Sequence, residues 1–348
     1  MSERTCPTCT ARLYCCHASI MFKHLWSRWT GRSHPAAPLA DTRVPALIDA
    51  QAALLKRLER AERDAAQARM AVRLNERDRD ALGALDRKLD ADTVRRHVSE
   101  ALARTPIETD PFPHVHVDGL FPEPFYMLLC RAIPPPVFFG DRDPIKQNLR
   151  MPIDFAPELT IRVWRFFDEA IAGGVLRPLL FERFRPALRA HAAAVFGEDF
   201  ADEALALPQE VSGGRLMLRR PGYHLPPHRD PKRAFLTCLL YLPGKRRMEF
   251  GTQIFEVAGD AEAPYTKTYY PEQAGARCTL VKTVPCAPNT ALVFLNSHGA
   301  HGATIPIDAE PAGLERYSYQ FYVGPRQEAL DALVARLPDE RRRFWSAT

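Results

Sequence analysis

The sequence contains no uninterrupted apolar run near the roughly 18–20 residues that a membrane-spanning helix needs. Its start also lacks the basic, apolar and small-residue order of a secretory signal. Both absences predict a soluble, cytoplasmic chain with no membrane span. A charge block of one sign is missing as well. Arginine far outnumbers lysine, yet acids are interleaved with it, and the formal net charge is only +5 over 348 residues. That pattern gives no basic stripe, so no nucleic acid is expected as a partner. Nothing reads as a disulfide framework either. Eight cysteines in an intracellular chain of this length are expected to be reduced thiols. Four of them crowd the start, as Cys6-Pro-Thr-Cys9 and Cys15-Cys16-His17. They lack a well-spaced second ligand pair, so residues 1–42 read as an irregular, disordered terminus rather than a zinc site.

What is present is the composition of an ordinary globular protein, 46% hydrophobic and 26% charged. The length allows one large domain or two modest ones. Residues 43–105 are built almost wholly from Ala, Leu, Arg, Glu and Asp, with no proline after Pro45. This predicts helix. Leu47, Leu54, Ala61 and Ala68 recur every seven residues, with Leu58, Ala65 and Val72 as companions. That is a heptad seam, which breaks at Asn75 and Arg79 and resumes weakly at Leu82 and Leu89. It predicts a short coiled coil or a helical hairpin packed on the body, and offers a route to a homo-oligomer.

Residues 106–348 read as one folded domain. "PFPHVHVDGLFPEPFYMLLCRAIPP" predicts a short strand, then a helix entered at Pro122 and stopped before Pro134. "ELTIRVWRFFDEAIAGG" is amphipathic at helical spacing and is expected to end at Gly173-Gly174. Helical support is expected over about 120–200. Short strands are then expected at 214–219, 235–242, 253–257, 277–284, 290–295 and 316–323, and a C-terminal helix over 326–345. Helices gathered before strands predict an α+β class, and strands at this spacing predict a sandwich or barrel over about 210–325.

The chemistry centres on "YHLPPHRDPKRAFLTCLLYLPG". On an extended strand residues i and i+2 share a side, so His228 and Asp230 present an imidazole and a carboxylate to one point. A third ligand is offered by "LVFLNSHGAHGAT", as His298 or His301. Two imidazoles and one carboxylate make a facial set that leaves three positions of an octahedral Fe(II) open. The competing reading is a polar turn in which Asp230 caps Pro231-Lys232. In "RYSYQFYVG", Arg316, Ser318 and Gln320 share one strand face. An arginine facing inward is costly unless paired, and a bound dicarboxylate is its natural partner. His114, His116 and Asp118 share another strand face and read as an ordinary edge strand. Cys238 reads as core. Lys232-Arg233 and Lys245-Arg246-Arg247 read as solvated turns.

This order of features resembles the 2-oxoglutarate and Fe(II)-dependent dioxygenases, in their prolyl-hydroxylase-like branch. The residues that carry it are His228-x-Asp230, His301-Gly302 after "FLNS", and Arg316-x-Ser318. "DPFPHVHVDGLFPEPFYMLLCRAIP" looks like the entry segment of that branch, and "MEFGTQIFEV" is similar to its mid-barrel strand. The resemblance spans about residues 110–325 and does not reach the first 105.

It implies a double-stranded β-helix, of jelly-roll or cupin-like form. His228, Asp230 and His301 would then hold Fe(II). Arg316 and Ser318 would take the distal carboxylate of 2-oxoglutarate, with Tyr223 in contact. Dioxygen is the second cosubstrate, and ascorbate is a stimulant. The gap from His301 to Arg316 is longer than the family's usual one, which leaves Arg326 as a fallback anchor. Two other readings stand beside this one. The first is a cupin-type metal barrel with other chemistry, which needs no dicarboxylate anchor. The second is an inert barrel in a coiled-coil scaffold.

Overall fold

The computed structural model describes residues 43–140, 143–243, 246–259, 264–311 and 313–346. The N-terminal cysteine cluster and Lys245 lie outside the described residues. The chain divides into two units, Met1–Arg60 and Ala61–Thr348. In the first, residues 43–60 belong to helix α1, Arg43–Arg77. Leu47, Ile48, Leu54, Leu55 and Leu58 are all exposed there. Val72, in the second unit, is exposed as well.

The second unit begins with the later turns of α1, where Gln67 donates to the Val137 carbonyl at 2.8 Å. A one-turn helix α2, Arg79–Gly83, follows. Asp90 then caps α3, Ala91–Arg104, by accepting from the amides of Asp92 and Thr93. Val94, Val98, Ala101 and Leu102 recur at helical spacing and are buried. The helix stops at Thr105, because the residue before Pro106 is driven out of the helical region.

After strand β1, His114–Asp118, helix α4, Glu123–Arg131, starts with proline at its first turn, as expected. Helix α5, Glu158–Phe166, does not end at Gly173-Gly174. It runs on as a π-helix, Phe167–Leu176, and then as α6, Arg177–Arg183. The correction has a packing cause. Phe167, Ile171, Ala172, Val175 and Leu176 continue the buried face through the glycines, and burial outweighs their weak helix preference. Tyr319 donates to Asp168 at 2.6 Å and ties the π-turn to the sheet. Helices α7, Arg185–Phe196, and α8, Glu198–Ala206, complete this layer. The C-terminal helix is broken into α9, Gln327–Val334, and α10, Asp339–Arg342, with Pro338 as the N-cap of α10.

The strands that follow are β2 (Lys146–Arg150), β3 (Gln209–Arg219), β4 (His224–His228), β5 (Leu236–Tyr241) and β6 (Met248–Ala258). They continue with β7 (Arg277–Cys286), β8 (Thr290–Leu295), β9 (Ala300–Thr304) and β10 (Arg316–Pro325). Two antiparallel sheets result. Six strands run β1-β8-β5-β10-β3-β2, and four run β4-β9-β6-β7. The central strands of the six-stranded sheet, β8, β5 and β10, are buried on both faces, and β2 forms its more exposed edge. Leu216, Leu218, Leu240, Tyr319 and Phe321 point into the helical core, where Trp164 stacks on Tyr319 at 5.0 Å. Met217, Leu239, Tyr241, Leu292 and Phe294 point into a second core shared with Ile254, Val284 and Ala303 of the four-stranded sheet. The long connection from β9 to β10 is not idle, for Ile305, Ala309 and Leu314 cap that core.

Strands β2, β4 and β9 are absent from the expectations, and two of them carry the site. Pro226 and Pro227 have no amide to give a ladder, and "GAHGAT" has almost no side chain with strand preference. None of the four described cysteines, Cys130, Cys238, Cys278 and Cys286, is in a disulfide. Burial raises the Cys238 thiol well above its ordinary value, as for a core residue.

Candidate metal centre

The two prolines before His228 shape the site. Because they cannot donate, the register of β4 on β9 slips between Leu225 and His228. After the slip His228 stands directly opposite His301. The Pro226 carbonyl accepts from His228 Nδ1 at 3.0 Å. With its proton on Nδ1, the ring turns the lone pair of Nε2 toward the site, as metal-binding imidazoles require. The close approach of the strands explains Gly302. A Cβ there would lie 2.8 Å from the Leu225 carbonyl oxygen, so no larger residue fits without parting the strands.

Asp230 lies between the two rings. Its Oδ1 is 3.7 Å from His228 Nε2, and its Oδ2 is 3.6 Å from His301 Nε2. One ligand atom from each of the three residues falls within 4.8 Å of the others, and all three are buried. This is a possible metal site, and its donor set of two nitrogens and one oxygen suits a divalent transition metal. Thr237 Oγ1 stands 2.8 Å from Asp230 Oδ2 and fixes that carboxylate. The same hydroxyl reaches Asn296 Oδ1 at 2.9 Å, and Asn296 donates to the Ala234 carbonyl. Burial pushes the His301 imidazole down to about 3, the nearby His228 adds to this, and Asp230 opposes it. A neutral imidazole is the metal-binding form.

Arg229 is a positioning residue that the sequence pattern did not single out. It points away from its neighbours His228 and Asp230, donates through Nε to the Gly299 carbonyl at 3.0 Å, and also reaches the His298 carbonyl. It thereby ties the first two candidate ligands to the turn that leads to the third. Gly299 sits in that turn, where a Cβ would fall 1.6 Å from the Phe112 ring. His298 itself is exposed and is not among the converging residues.

The three residues open into a cavity of about 300 Å³ between the sheets. Arg316, Tyr223, Arg219, Arg215, Gln320 and Tyr322 line it too. Arg316 is buried and donates through Nη1 to the carbonyls of Phe250 and Gly251, at 2.6 and 2.8 Å. Its buried Nε has no hydrogen-bond partner among the described residues. Tyr223 packs its ring between Arg219 and Arg316, at 5.0 and 5.8 Å from the guanidinium carbons. Ser318 is buried on the same strand face but is not among the residues lining the cavity. Arg326 is exposed and lies outside the cavity. Burial and the charge of Asp230 push the Tyr322 hydroxyl up to about 12.

The other candidates scatter. His114 bonds to the Phe112 carbonyl and lies 3.5 Å from Glu108, and His116 lies 3.8 Å from Asp118. Among the described residues they do not gather into a three-ligand set. Lys232 sits over the Tyr265 ring at 4.2 Å, and Arg247 pairs with Glu249. A larger cleft of about 470 Å³ lies between α3 and α4, away from these ligands.

No family model matches the chain, and no curated protein matches it. Among solved structures it is similar to a prolyl-4-hydroxylase from Pseudomonas putida, at 16% identity and a TM-score of 0.35, over 66% of this chain and 97% of that one. It is similar also to a prolyl hydroxylase from Trichoplax adhaerens in complex with a hypoxia inducible factor peptide fragment, at 11% identity and a TM-score of 0.37, over 74% and 94%. A third is HygX from Streptomyces hygroscopicus with nickel, 2-oxoglutarate and hygromycin B bound, at 15% identity and a TM-score of 0.34, over 62% and 83%.

Proposed function

We propose that the protein is an Fe(II)- and 2-oxoglutarate-dependent oxygenase that hydroxylates a C–H bond, with its two sheets forming a double-stranded β-helix. One observation carries this reading. A buried His-Asp-His set and a buried arginine with an unpartnered Nε line the same cavity.

The residues fit both groups. His228, Asp230 and His301 would hold Fe(II), and the carboxylate would offset part of its charge. The Nε and Nη2 edge of Arg316 makes no bond to a described residue, and such an edge can grip a carboxylate with two parallel bonds. The distal carboxylate of 2-oxoglutarate is its proposed partner. When bound, iron would let dioxygen act as the oxidant, with 2-oxoglutarate giving two electrons and R–H the other two, so that R–H, 2-oxoglutarate and dioxygen would become R–OH, succinate and carbon dioxide.

The chain's own side chains do the rest. The Pro226 carbonyl keeps the Nδ1 proton on His228, so that Nε2 stays free to bind. Thr237 keeps Asp230 aimed, and Arg229 holds the ligand-bearing strands together. Two main-chain carbonyls and the Tyr223 ring fix the plane of Arg316 before any ligand arrives, which lowers the ordering cost of binding. Met217, Leu239 and Ala303 give the cavity apolar walls. A cupin-type barrel with other chemistry needs no dicarboxylate anchor, and an inert scaffold needs neither feature.

The test is succinate formation by purified protein supplied with Fe(II), ascorbate and 2-oxoglutarate under air. Slow turnover without added substrate is expected, and His228→Ala and Arg316→Ala should each suppress it. Equal turnover in both variants would remove the reading. The exposed leucines of α1 favour a second element of function, pairing of this helix with another copy of the chain.

A further inference from the structure

The inner face of the six-stranded sheet is short of acid at one end. Lys146 of β2 stands opposite Arg219 of β3, and Arg219 stands opposite Arg316 of β10. Four residues along, Arg150 stands opposite Arg215, and Arg215 opposite Gln320. Between the two rows lie Asn148, Met217 and Ser318. Five cations thus share one face of three strands with no Asp or Glu among them. Like charges set directly opposite one another destabilise a sheet. Arg220, just past the end of β3, shows the ordinary solution, an ion pair with Glu315 at 2.7 Å. Among the described residues, none of the five has such a pair.

Not all five are available. Arg219 is committed to the Gln147 and Leu218 carbonyls and to Asn148 Oδ1, and burial with two neighbouring arginines pulls its pKa below the ordinary value. Arg316 is taken by 2-oxoglutarate in the reading above. A single dicarboxylate spends one guanidinium, so Arg215 is left over. Its Nη2 donates to Gln320 Oε1 at 2.6 Å and lies 3.3 Å from the Tyr322 hydroxyl. Its Nε and Nη1 donate to no described residue. Arg215, Gln320 and Tyr322 line the cavity together with the His-Asp-His set, and Lys146 lines it from an exposed position at the end of β2. Gln320 and Tyr322 hold Arg215 in place through Nη2, so Nε and Nη1, one on each edge of the guanidinium, keep donors already oriented for the cavity's contents.

We infer that the substrate to be oxidised is an anion, and that Arg215 binds its carboxylate or phosphate in this cavity while Lys146 draws it in. The inference rests on the oxygenase reading for the place of 2-oxoglutarate. It deepens that reading by naming the substrate class: a small molecule with an oxyanion close to the C–H bond that reacts. With Nη2 engaged by Gln320 and Tyr322, Arg215 offers the oxyanion a charge-assisted donor from Nε or Nη1 in a fixed plane, which the flexible ammonium of a lysine does not reproduce.

The test is calorimetric titration of the full-length protein, loaded with Mn(II) and saturated with 2-oxoglutarate, in low-salt buffer without phosphate. Phenylacetate and phenyl phosphate are the two probes, and their order of affinity separates a carboxylate from a phosphate. At least one is expected to bind alongside 2-oxoglutarate. Arg215→Met should weaken that probe at least about tenfold and leave 2-oxoglutarate affinity within about twofold. Lys146→Gln, at an exposed position, should weaken it about two- to threefold and flatten its salt dependence. If Arg215→Met fails to fold, Arg215→Lys carries the test, because it keeps the charge and loses the planar donors that Gln320 and Tyr322 hold in position. Absence of probe binding, or equal binding to the Arg215 variant, would overturn the inference. So would loss of 2-oxoglutarate itself in that variant, since Arg215 would then be the cosubstrate's anchor. Failure of the oxygenase reading looks different: the probes would still bind through Arg215 while the protein took up neither Mn(II) nor 2-oxoglutarate.

Discussion

His228 and His301 face each other across two antiparallel strands, with ring centroids 4.1 Å apart. They are 73 positions apart in sequence and neither strand has a conventional strand composition. The pair exists because two prolines slip the register and a glycine lets the backbones close. Asp230, on the same segment as His228, then needs only its own side chain to reach both rings.

Gly302 is therefore expected to be intolerant of even one methyl group. Gly302→Ala would press a Cβ against the Leu225 carbonyl at 2.8 Å and part β9 from β4. Displaced supports of metal ligands typically cost about 10–100-fold in metal affinity. Competition between the variant and a chromophoric chelator for Co(II) or Mn(II) checks this, and wild-type affinity in the variant would contradict it.

Arg316→Met should leave metal affinity intact and weaken 2-oxoglutarate. Losing one partner of a buried, hydrogen-bonded charge pair costs about 2–5 kcal/mol, which is more than about thirtyfold in affinity. Calorimetry on the Mn(II)-loaded variant reads this directly. Ser318→Ala should have a much smaller effect, since Ser318 is not among the residues lining the cavity.

Metal-free protein should lose stability as the pH falls from about 6.5 toward about 3. His191 and His301 are buried, and burial pushes both imidazoles down to about 3. In the unfolded chain each takes a proton near pH 6.5. Across that window the unfolded state binds more protons, so stability drops by up to about 1.4 kcal/mol per pH unit for each group. His191→Leu should remove one such contribution, visible as a smaller shift of the urea midpoint between pH 7 and pH 5. An unchanged shift would contradict the assignment.

Replacing Leu47, Leu54 and Leu58 by glutamate should lower the association state measured by sedimentation equilibrium and leave metal binding unchanged. All three side chains are exposed along one heptad seam. A wild-type monomer at micromolar concentration would remove helix pairing.

The sequence made some of this legible. Short apolar runs bounded by Gly and Pro mark the buried strands β5 and β8, and alternation in β10 sets Arg316 on the same face as Ser318 and Gln320. His-x-Asp with a later His-Gly marks the ligand residues as candidates, but leaves His298 and His301 open. Only the pairing of β4 with β9 separates them, since it sets His301 opposite His228 and leaves His298 in an exposed bend. The strands that carry the ligands are unreadable locally, because prolines and small residues form them under tertiary control. Arg215, Arg219 and Arg229 escape notice for a related reason. Their importance lies in cross-strand register and in carbonyls 69–72 residues away, or in having no acid beside them, and no spacing rule displays either. The π-turn at Phe167–Leu176 is hidden because glycine punctuation normally ends helices, and here a continuous buried face outweighs it.

The most direct measurement is an anaerobic titration of 2-oxoglutarate into Fe(II)-loaded protein, followed by visible absorption. Chelation of the metal by the 2-oxo acid gives a charge-transfer band that requires both to occupy one site. A saturable band at one equivalent is predicted. It should disappear in His301→Ala, survive in His298→Ala, and need a much higher 2-oxoglutarate concentration in Arg316→Met. No band in the wild type, or one that persists in His301→Ala, would contradict the account.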